Sequence, residues 1–217
     1  MSEIGRRRAA AAASAENNPA YQERLEMIRR AAGKVFHEKG FRGTKLNDIA
    51  AEAGVDRASL YYYVKSKDEL FRDVVATAVE ANIAAARQVV AEEVSPATKL
   101  TKMIEALMLS FERSYPYMYV FVQEDVTKLA SEMGKDADWL ATVERWGNEY
   151  FALVRNTISE GIADGTFSTT LPPGVAANCI IGMLNYSHLW FRPDGMMNAD
   201  EIGAGISRLL MNGLIAH

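Results

Sequence analysis

The sequence predicts an all-α fold, and three observations support this prediction. From Tyr21 onward, apolar residues recur at spacings of three and four, which is the period of one helix face. Glycine, proline and capping residues stand where these stripes end. No segment shows the apolar-polar alternation of a half-buried strand. Hydrophobic residues make up 49% of the 217 residues, enough to bury a core of packed helices.

Four helices are predicted in the first third of the chain. The first ends at Gly40 and the second at Gly54, because glycine accepts the left-handed backbone that ends a helix. A short third helix follows, and a long fourth helix runs past Val90. The apolar stripes of these helices are, in order, Leu25, Ile28, Ala32, Val35 and Phe36; Leu46, Ile49, Ala50 and Ala53; Leu60 and Tyr63; Leu70, Phe71, Val74, Val75, Ala78 and Val79.

Five more helical patterns are predicted behind Ser95-Pro96, which interrupts the periodicity. The breaks after them include Pro116, Asp164-Gly165 and Arg192-Pro193. These patterns cover residues 100–111, 117–129, 140–162, 175–190 and 202–214.

Charge is distributed unevenly along the chain. Residues 1–80 carry 14 Lys and Arg against 12 Asp and Glu, whereas residues 81–217 carry 10 against 16. An acidic surface repels phosphate, so any nucleic acid is expected to contact only the first third.

Several features predict a cytoplasmic protein without a membrane partner. A single cysteine, Cys179, excludes an internal disulfide, and its apolar stripe predicts a buried side chain. No apolar run approaches about 18 residues, and the alanines after Arg6–Arg8 do not form a signal-peptide core. Residues 1–18 are predicted to be a disordered arm. Its arginines fit either a solvated tail or an arm that touches phosphates or the minor groove.

Residues 41–70 have the spacing of a helix-turn-helix unit. Ala50 is small where two helices cross, and Gly54 ends the first of them. Ile49, Val55 and Leu60 are expected to fill the wedge between these helices. Two capping signals also stand in this segment: Asp56 with Ser59, and the box formed by Ser66-Lys67-Asp68-Glu69.

This segment resembles the DNA-binding domain of the TetR family of transcriptional regulators. The resemblance covers about residues 21–75, and it departs from the family pattern at Lys45 and Val64. At Lys45 the family usually has a second Thr or Ser, so either Thr44 alone caps the second helix or Lys45 adds a phosphate contact. The matching motifs are Gly40-Phe41, Thr44, Ile49-Ala50, Gly54-Val55, Leu60-Tyr61-Tyr62-Tyr63 and Ser66 to Leu70.

The resemblance implies that residues 19–66 form the DNA-binding domain and residues 67–217 an effector-binding and dimerisation domain. The third helix would then enter the major groove of an operator. Tyr63 shares a helix face with Leu60 and is assigned to the core. The residues expected to contact bases or nearby phosphates are Arg57, Ala58, Ser59, Tyr61 and Tyr62; those expected to contact phosphates are Thr44, Lys45, Tyr62, Lys65 and Lys67.

The last two helices are predicted to form a homodimer. Residues 175–190 are apolar on more than one face, as expected of a helix that contacts both its own core and a partner. The final helix carries Gly203, Gly205 and Gly213, which allow another helix to approach closely. By resemblance to the family, these two helices build a four-helix interface, and the dimer reads a palindrome.

The middle helices are rich in large apolar and aromatic side chains with a few polar groups, as in small-molecule pockets. Each of these side chains would equally fit a plain core. The candidate effector-binding residues are Met103, Leu107, Phe111, Tyr119, Phe121, Gln123, Trp146, Tyr150, Asn185 and His188.

Two short matches, residues 123–125 and 190–195, resemble TetR repressors of fatty-acid and steroid catabolism that respond to acyl-CoA thioesters. This resemblance implies an acyl-CoA-like or other long apolar effector. Arg192 would suit its phosphate or carboxylate, or it is simply an exposed helix-end arginine.

The alternative is a helical enzyme or small-molecule-binding protein without DNA binding. The three histidines are scattered, no cluster has metal-ligand spacing, and no phosphate-binding or nucleophile motif is present. The sequence therefore predicts no catalytic residues, no metal and no cofactor.

Overall fold

A computed structural model describes residues 18–132 and 137–214, and the Arg6–Arg8 arm lies outside these residues. The described residues contain ten α-helices, one 3-10 helix and no β-strand, so the all-α prediction is confirmed. Two compact units divide inside the fourth helix, the first ending at Val74 and the second beginning at Val75. We had expected the second domain to begin at residue 67, and that functional boundary stays a prediction.

The first unit contains three complete helices and the start of a fourth. Asn18 caps the first helix, since its Oδ1 accepts from the Ala20 amide at 3.0 Å. Gly40 interrupts this helix with φ 69°, as its position after Lys39 predicts. The helices are α1 (Pro19–Gly43), α2 (Leu46–Glu52), α3 (Arg57–Tyr63) and α4 (Lys67–Ala91).

An aromatic cluster forms the centre of the first unit. The Phe41 and Phe71 rings lie 4.7 Å apart between centroids, and Phe36 lies 5.4 Å from Phe71. Ile49 and Leu60 are also fully buried, which fixes α2 and α3 to the same core. The first turns of α4 therefore belong to this unit, because Phe71 is part of its core.

The second unit contains the rest of α4 and all of the later helices. α5 lies at its centre and packs against α8 and α10. The elements are α5 (Pro96–Arg113), α6 (Tyr117–Gln123), α7 (Val126–Glu132), α8 (Ala137–Ala163), α9 (Pro173–Asn185), the 3-10 helix (Tyr186–Leu189) and α10 (Ala199–Leu214).

Two predicted helix boundaries are wrong. Residues 117–129 form two helices rather than one, because Asp125 accepts the Lys128 amide at 3.0 Å and starts α7. The Glu124-Asp125 pair thus lies between the two helices. The helix predicted over residues 175–190 ends at Asn185 and continues only as the 3-10 helix.

Gly203 permits close helix packing inside the chain rather than across a dimer. A Cβ built there would lie 3.2 Å from the Glu105 Cα and 3.3 Å from the Met108 Cβ, both on α5. A Cβ at Gly205 or Gly213 would meet no atom of the described chain within 4 Å. Only these two glycines leave α10 open to an approaching helix.

Among the described helices, α4 has the length and composition needed to cross a membrane. Buried core helices of soluble proteins pass the same test, and Leu70, Phe71, Val74, Val75 and Ala78 of α4 are fully buried in the protein. This single helix is therefore weak evidence for a membrane span.

Candidate DNA-binding surface and ligand cavity

The turn between α2 and α3 has the predicted helix-turn-helix geometry. Gly54 adopts φ 62°, and the Val55 amide donates to the Ala50 carbonyl at 3.0 Å. Asp56 caps α3, since its Oδ1 accepts from the Ser59 amide at 2.9 Å and its Oδ2 from the Ser59 hydroxyl at 2.6 Å. With Leu60 fully buried, α3 is anchored on one side and capped at its start.

The opposite side of α3 is exposed. Arg57, Ala58, Tyr61 and Tyr62 are exposed, and Ser59 is half-buried beside the cap. A short helix with one anchored face and one exposed polar and aromatic face has the form of a recognition helix. The structure therefore brings together the five α3 residues predicted to reach DNA.

Arg57 and Tyr61 form a pair one helical turn apart. Arg57 Nη2 donates to the Tyr61 hydroxyl at 3.4 Å, and the guanidinium carbon lies 5.5 Å from the ring centroid. A cation over an aromatic face is attracted by the ring's quadrupole. This contact holds the Arg57 head group on the exposed face of α3.

Tyr62 and Tyr63 both contact Tyr21 of α1. The Tyr63 ring lies 4.9 Å from the Tyr21 ring, and the exposed Tyr62 ring lies 6.0 Å from it. Tyr63 is half-buried, as its shared face with Leu60 indicates. Tyr21 thus supports the end of α3, a contact that the helical periodicity did not indicate.

The prediction that Thr44 caps α2 is wrong. Its side chain is 2% exposed, and its hydroxyl donates to the Gly40 carbonyl at 2.8 Å. Lys45 is the N-cap residue, and the Asp48 carboxylate accepts from the Lys45 amide at 2.9 Å. Because the Thr44 hydroxyl is bonded inside the protein, we leave Thr44 out of the proposed phosphate contacts.

The other predicted phosphate contacts differ in their surroundings. Lys45 and Lys65 are exposed at either end of the α2–α3 segment. The Lys67 ammonium instead donates to the Phe41 and Thr44 carbonyls, at 2.8 and 3.0 Å. The Ser66 cap of α4 is present, with Ser66 Oγ accepting from the Glu69 amide at 3.0 Å. Lysines close in sequence are therefore not equally available to DNA.

Removing the Asp56 cap by Asp56→Ala is expected to lower the unfolding temperature at neutral pH, because the first turn of α3 loses the acceptor of its Ser59 amide. The Ser59 hydroxyl and amide hold the pKa of Asp56 below its ordinary value. This stabilisation is therefore present above the unfolded-state pKa and is lost as the pH falls through the lower folded-state pKa. Thermal unfolding between pH 2 and 7 measures both effects.

Asp56→Asn is the matched control, because asparagine caps as well as aspartate but does not titrate. Asp56→Asn should keep most of the wild-type stability at neutral pH. Its stability should no longer fall with the protonation of residue 56 at low pH. Equal unfolding temperatures for wild type and Asp56→Ala at pH 7 would contradict the capping role.

A cavity of about 250 Å³ lies in the second unit. Aliphatic and aromatic side chains form most of its wall, and three asparagines supply polar groups. Burial raises the pKa of the Tyr150 phenol above its ordinary value, so the group is a neutral hydroxyl in the cavity wall. The lining residues are Val79, Asn82, Ile83, Leu107, Met118, Phe121, Trp146, Gly147, Tyr150, Phe151, Asn178, Ile181 and Asn185.

Half of the predicted effector-binding residues line this cavity. They come from α5, α6, α8 and α9, so the cavity forms where these helices meet. The lining residues among the predicted ten are Leu107, Phe121, Trp146, Tyr150 and Asn185. Met103, Phe111, Tyr119, Gln123 and His188 are not part of the lining.

Several of the remaining candidates fill the core or hold the backbone. Phe111 is fully buried against Tyr119, their ring centroids 5.4 Å apart. The Tyr119 hydroxyl donates to the Phe191 carbonyl at 3.1 Å, and burial raises its pKa to about 12. The His188 Nδ1 lies 2.8 Å from the Asn185 carbonyl oxygen. Arg192, the candidate for a charged group, donates to the Phe191 carbonyl at 2.7 Å.

Residues of α4 were missed as cavity residues. Val79, Asn82 and Ile83 line the cavity, and Asn82 Nδ2 lies 3.2 Å from the Met118 sulfur. A signal was present, since Asn82 and Asn178 are amides inside otherwise apolar helix faces. Asn82 is half-buried and Asn178 is exposed, and a few polar groups among apolar side chains are typical of small-molecule sites.

Comparison with known proteins identifies related regulators. The HTH-type transcriptional repressor KstR2 of Mycolicibacterium smegmatis is 26% identical over 192 residues, covering 88% of this chain and 90% of that protein. The ketosteroid transcriptional regulator KstR2 of Mycobacterium tuberculosis has a similar structure, with a TM-score of 0.82 at 24% identity, over 90% of this chain and 96% of that chain.

A second solved structure is AibR in complex with isovaleryl coenzyme A and operator DNA. It matches with a TM-score of 0.71 at 21% identity, covering 87% of this chain and 98% of that one, and shows a shared fold. Residues 28–74 match the family described as bacterial regulatory proteins, tetR family. Residues 93–214, over half of the chain, match the tetracyclin repressor-like C-terminal domain. The chain therefore belongs to the TetR family of transcriptional regulators, as its motifs indicate.

Proposed function

We propose that this regulator is a cytoplasmic repressor that binds a palindromic operator as a homodimer and is released by a small effector. The observation that carries the proposal is the exposed face of α3, capped by Asp56 and anchored by Leu60. The related proteins are transcriptional regulators, and the chain is a DNA-binding regulator rather than an enzyme. KstR2 is itself named as a repressor.

The proposed DNA contacts divide by chemistry. Arg57 suits a guanine edge and Ala58 a thymine methyl group, while Ser59, Tyr61 and Tyr62 reach bases or nearby phosphates. Lys45 and Lys65 are exposed cations suited to phosphates, which position the protein without reading sequence.

An exposed apolar stripe on α9 and the first residue of the 3-10 helix supports a dimer. Val175, Cys179, Met183 and Tyr186 recur at helical spacing and are all exposed. Cys179 was predicted to be buried, and that prediction is wrong. A stripe of this kind is expected to lie against a partner, because exposed apolar patches on soluble proteins mark interaction sites.

The final helix carries a second open stripe. Leu209 is exposed between Gly205 and Gly213, where an added Cβ would meet no described atom within 4 Å. Gly205 and Gly213 lie about two helical turns apart, on the same face as Leu209, and small residues on one face allow another helix to approach closely. We infer that α9 and α10 together form the two-fold interface.

The cavity supports an effector whose buried part is small, apolar and uncharged. The described lining holds no Lys, Arg, His, Asp or Glu, so a buried carboxylate or phosphate would lack a counter-charge. Its volume, about 250 Å³, lies below the range of sites that enclose whole drug-sized ligands. An acyl group fits this description, with the coenzyme A part of a thioester outside the cavity.

Release is proposed to work through α4, which begins in the first unit and lines the cavity with Val79, Asn82 and Ile83. The effector would favour a dimer whose recognition helices no longer match consecutive major grooves. The expected coupling is about 1–3 kcal/mol. An effector that tightened DNA binding would contradict this mechanism.

The test of DNA binding is a gel shift with DNA from upstream of the protein's own gene, at a series of salt concentrations. A shift that weakens steeply with salt is expected, because phosphate contacts release counterions. No shift at any salt would favour the alternative, a helical ligand-binding protein without DNA binding. Mass spectrometry of ligand that co-purifies with the native protein would identify the effector.

Gly147→Leu is expected to weaken effector release while leaving operator binding intact. Gly147 lines the cavity and is exposed, which places it where the cavity opens to solvent. A Cβ there meets no atom within 4 Å, and leucine favours a helix over glycine by roughly 1 kcal/mol. Fluorescence anisotropy of operator DNA, titrated with a short-chain acyl-CoA, measures the change.

Gly147→Ala is the graded control, because it adds one carbon instead of four. Its release curve should lie between those of wild type and Gly147→Leu. If Gly147→Leu folds stably and the effector still releases it from operator DNA as it releases wild type, the effector does not enter the cavity beside Gly147.

A further inference from the structure

We propose that Lys67 is a positioning residue for DNA binding, which holds the turn between α1 and α2 and does not contact a phosphate. The inference rests on the proposed DNA-binding role of the first unit. It assigns to the first residue of α4 a function different from that of the exposed lysines nearby.

The Lys67 ammonium is surrounded by groups of its own chain. It donates to the Phe41 carbonyl at 2.8 Å and to the Thr44 carbonyl at 3.0 Å. It also lies 4.2 Å from the centroid of the Phe41 ring. An ammonium has three donors, so two of them are used here. A move toward a phosphate would leave both carbonyls and the ring without the cation.

These carbonyls stand where α1 ends. The last carbonyls of a helix lack helical partners and carry partial negative charge, which a cation stabilises. The Thr44 hydroxyl satisfies the Gly40 carbonyl in the same turn. Lys67 and Thr44 therefore supply side-chain donors to the carbonyls of Gly40, Phe41 and Thr44 in this turn, and the Thr44 hydroxyl also lies 3.4 Å from the Val35 carbonyl oxygen.

The position of the turn between α1 and α2 determines where α2 starts. α2 begins at Leu46, two residues after Thr44, and packs against both α1 and α3. A displaced turn would shift α2 and, with it, the recognition helix. Lys67 thus acts on DNA binding through the placement of α2 and α3.

Lys65 provides a matched comparison two residues earlier. Its side chain is 91% exposed, and its ammonium lies 3.5 Å from the Glu69 carboxylate. The two lysines carry the same charge at the entrance to α4, but only Lys67 bonds to the α1–α2 turn. Substitution of either lysine by methionine removes one positive charge, from an exposed side chain at Lys65 and from a side chain bonded to the α1–α2 turn at Lys67.

The experiment measures operator affinity of full-length Lys67→Met and Lys65→Met proteins across a salt series. Lys65→Met should reduce the steepness of the logarithmic salt dependence by about 0.9, the value for one lost phosphate contact. Lys67→Met should weaken binding by about tenfold at every salt concentration, with the wild-type slope, because charged hydrogen bonds are lost inside the protein. A slope reduced in Lys67→Met as in Lys65→Met would overturn the proposal.

A readout without DNA separates this proposal from the proposed function. In ¹H–¹⁵N spectra of the unbound protein, Lys67→Met should shift the amides of residues 40–45, and Lys65→Met should leave them unchanged. Unshifted turn amides in Lys67→Met would overturn the positioning role even if DNA binding fell.

Lys67→Arg keeps the charge and the donors and covers the case in which Lys67→Met does not fold. It should retain near-wild-type turn amides and most of the operator affinity. Lost affinity with unshifted turn amides in Lys67→Arg would also contradict the proposal.

Discussion

Glutamate at both Met183 and Leu209 is expected to convert the proposed homodimer to a monomer and to lower operator affinity by roughly 10²–10⁴-fold. Both residues are exposed in the single chain, at 42% and 68%, so the substitutions should leave the protomer folded. In the proposed interface they would bury four unpaired carboxylates per dimer. Analytical ultracentrifugation measures the assembly, and anisotropy of a palindromic operator measures the affinity.

Val94→Glu is the matched control for this double variant. Val94 is 37% exposed, similar to Met183, and lies in the loop between α4 and α5. It introduces one glutamate, against two in the double variant, outside the proposed interface and should leave both mass and affinity unchanged. A double variant that still sediments as a dimer would place the interface elsewhere.

Arg57→Ala is expected to cost about 1–3 kcal/mol of operator binding and to relax the preference at one base pair. The guanidinium is held over the Tyr61 ring on the exposed face of α3, and the proposed contact is with a guanine edge. Affinities for a set of operators, each with one base pair changed, test the loss of preference.

The Arg57–Tyr61 contact can be tested separately by a double-mutant cycle with Tyr61→Phe. Phenylalanine keeps the ring under the guanidinium and removes only the hydroxyl that Arg57 contacts. Its affinity should stay closer to wild type than that of Arg57→Ala. Unchanged affinity and base preference in Arg57→Ala would remove Arg57 from the residues that read DNA.

The recognition module could be predicted in detail because its signals are local. Gly54, the Asp56 cap and the Ser66 cap each act within four residues of their own position. Thr44 was misassigned because its surroundings include residues farther along the chain. Its hydroxyl also lies 3.4 Å from the Val35 carbonyl oxygen of α1, and its own carbonyl accepts from Lys67, 23 positions along the chain.

The cavity could be predicted only in part. Helical periodicity indicates which face of a helix is buried, but not where buried faces fail to fill the space between them. Leu107 and Trp146 line the cavity, whereas Phe111 and Tyr119, equally large and apolar, pack against each other. The choice depends on how separate helices meet.

The sequence alone determined the helical fold class and the positions of most helix ends, since periodicity and capping act over a few residues. The motifs of residues 40–70 carried the resemblance to the family. Tertiary structure decided which polar groups are already bonded and which glycines are already covered. Gly203 is closed by α5 while Gly205 stays open, and Lys67 is held by a turn while Lys65 is exposed. Residues of the same type differ in these pairs because hydrogen bonds and steric contacts depend on distances between segments that are remote in the chain.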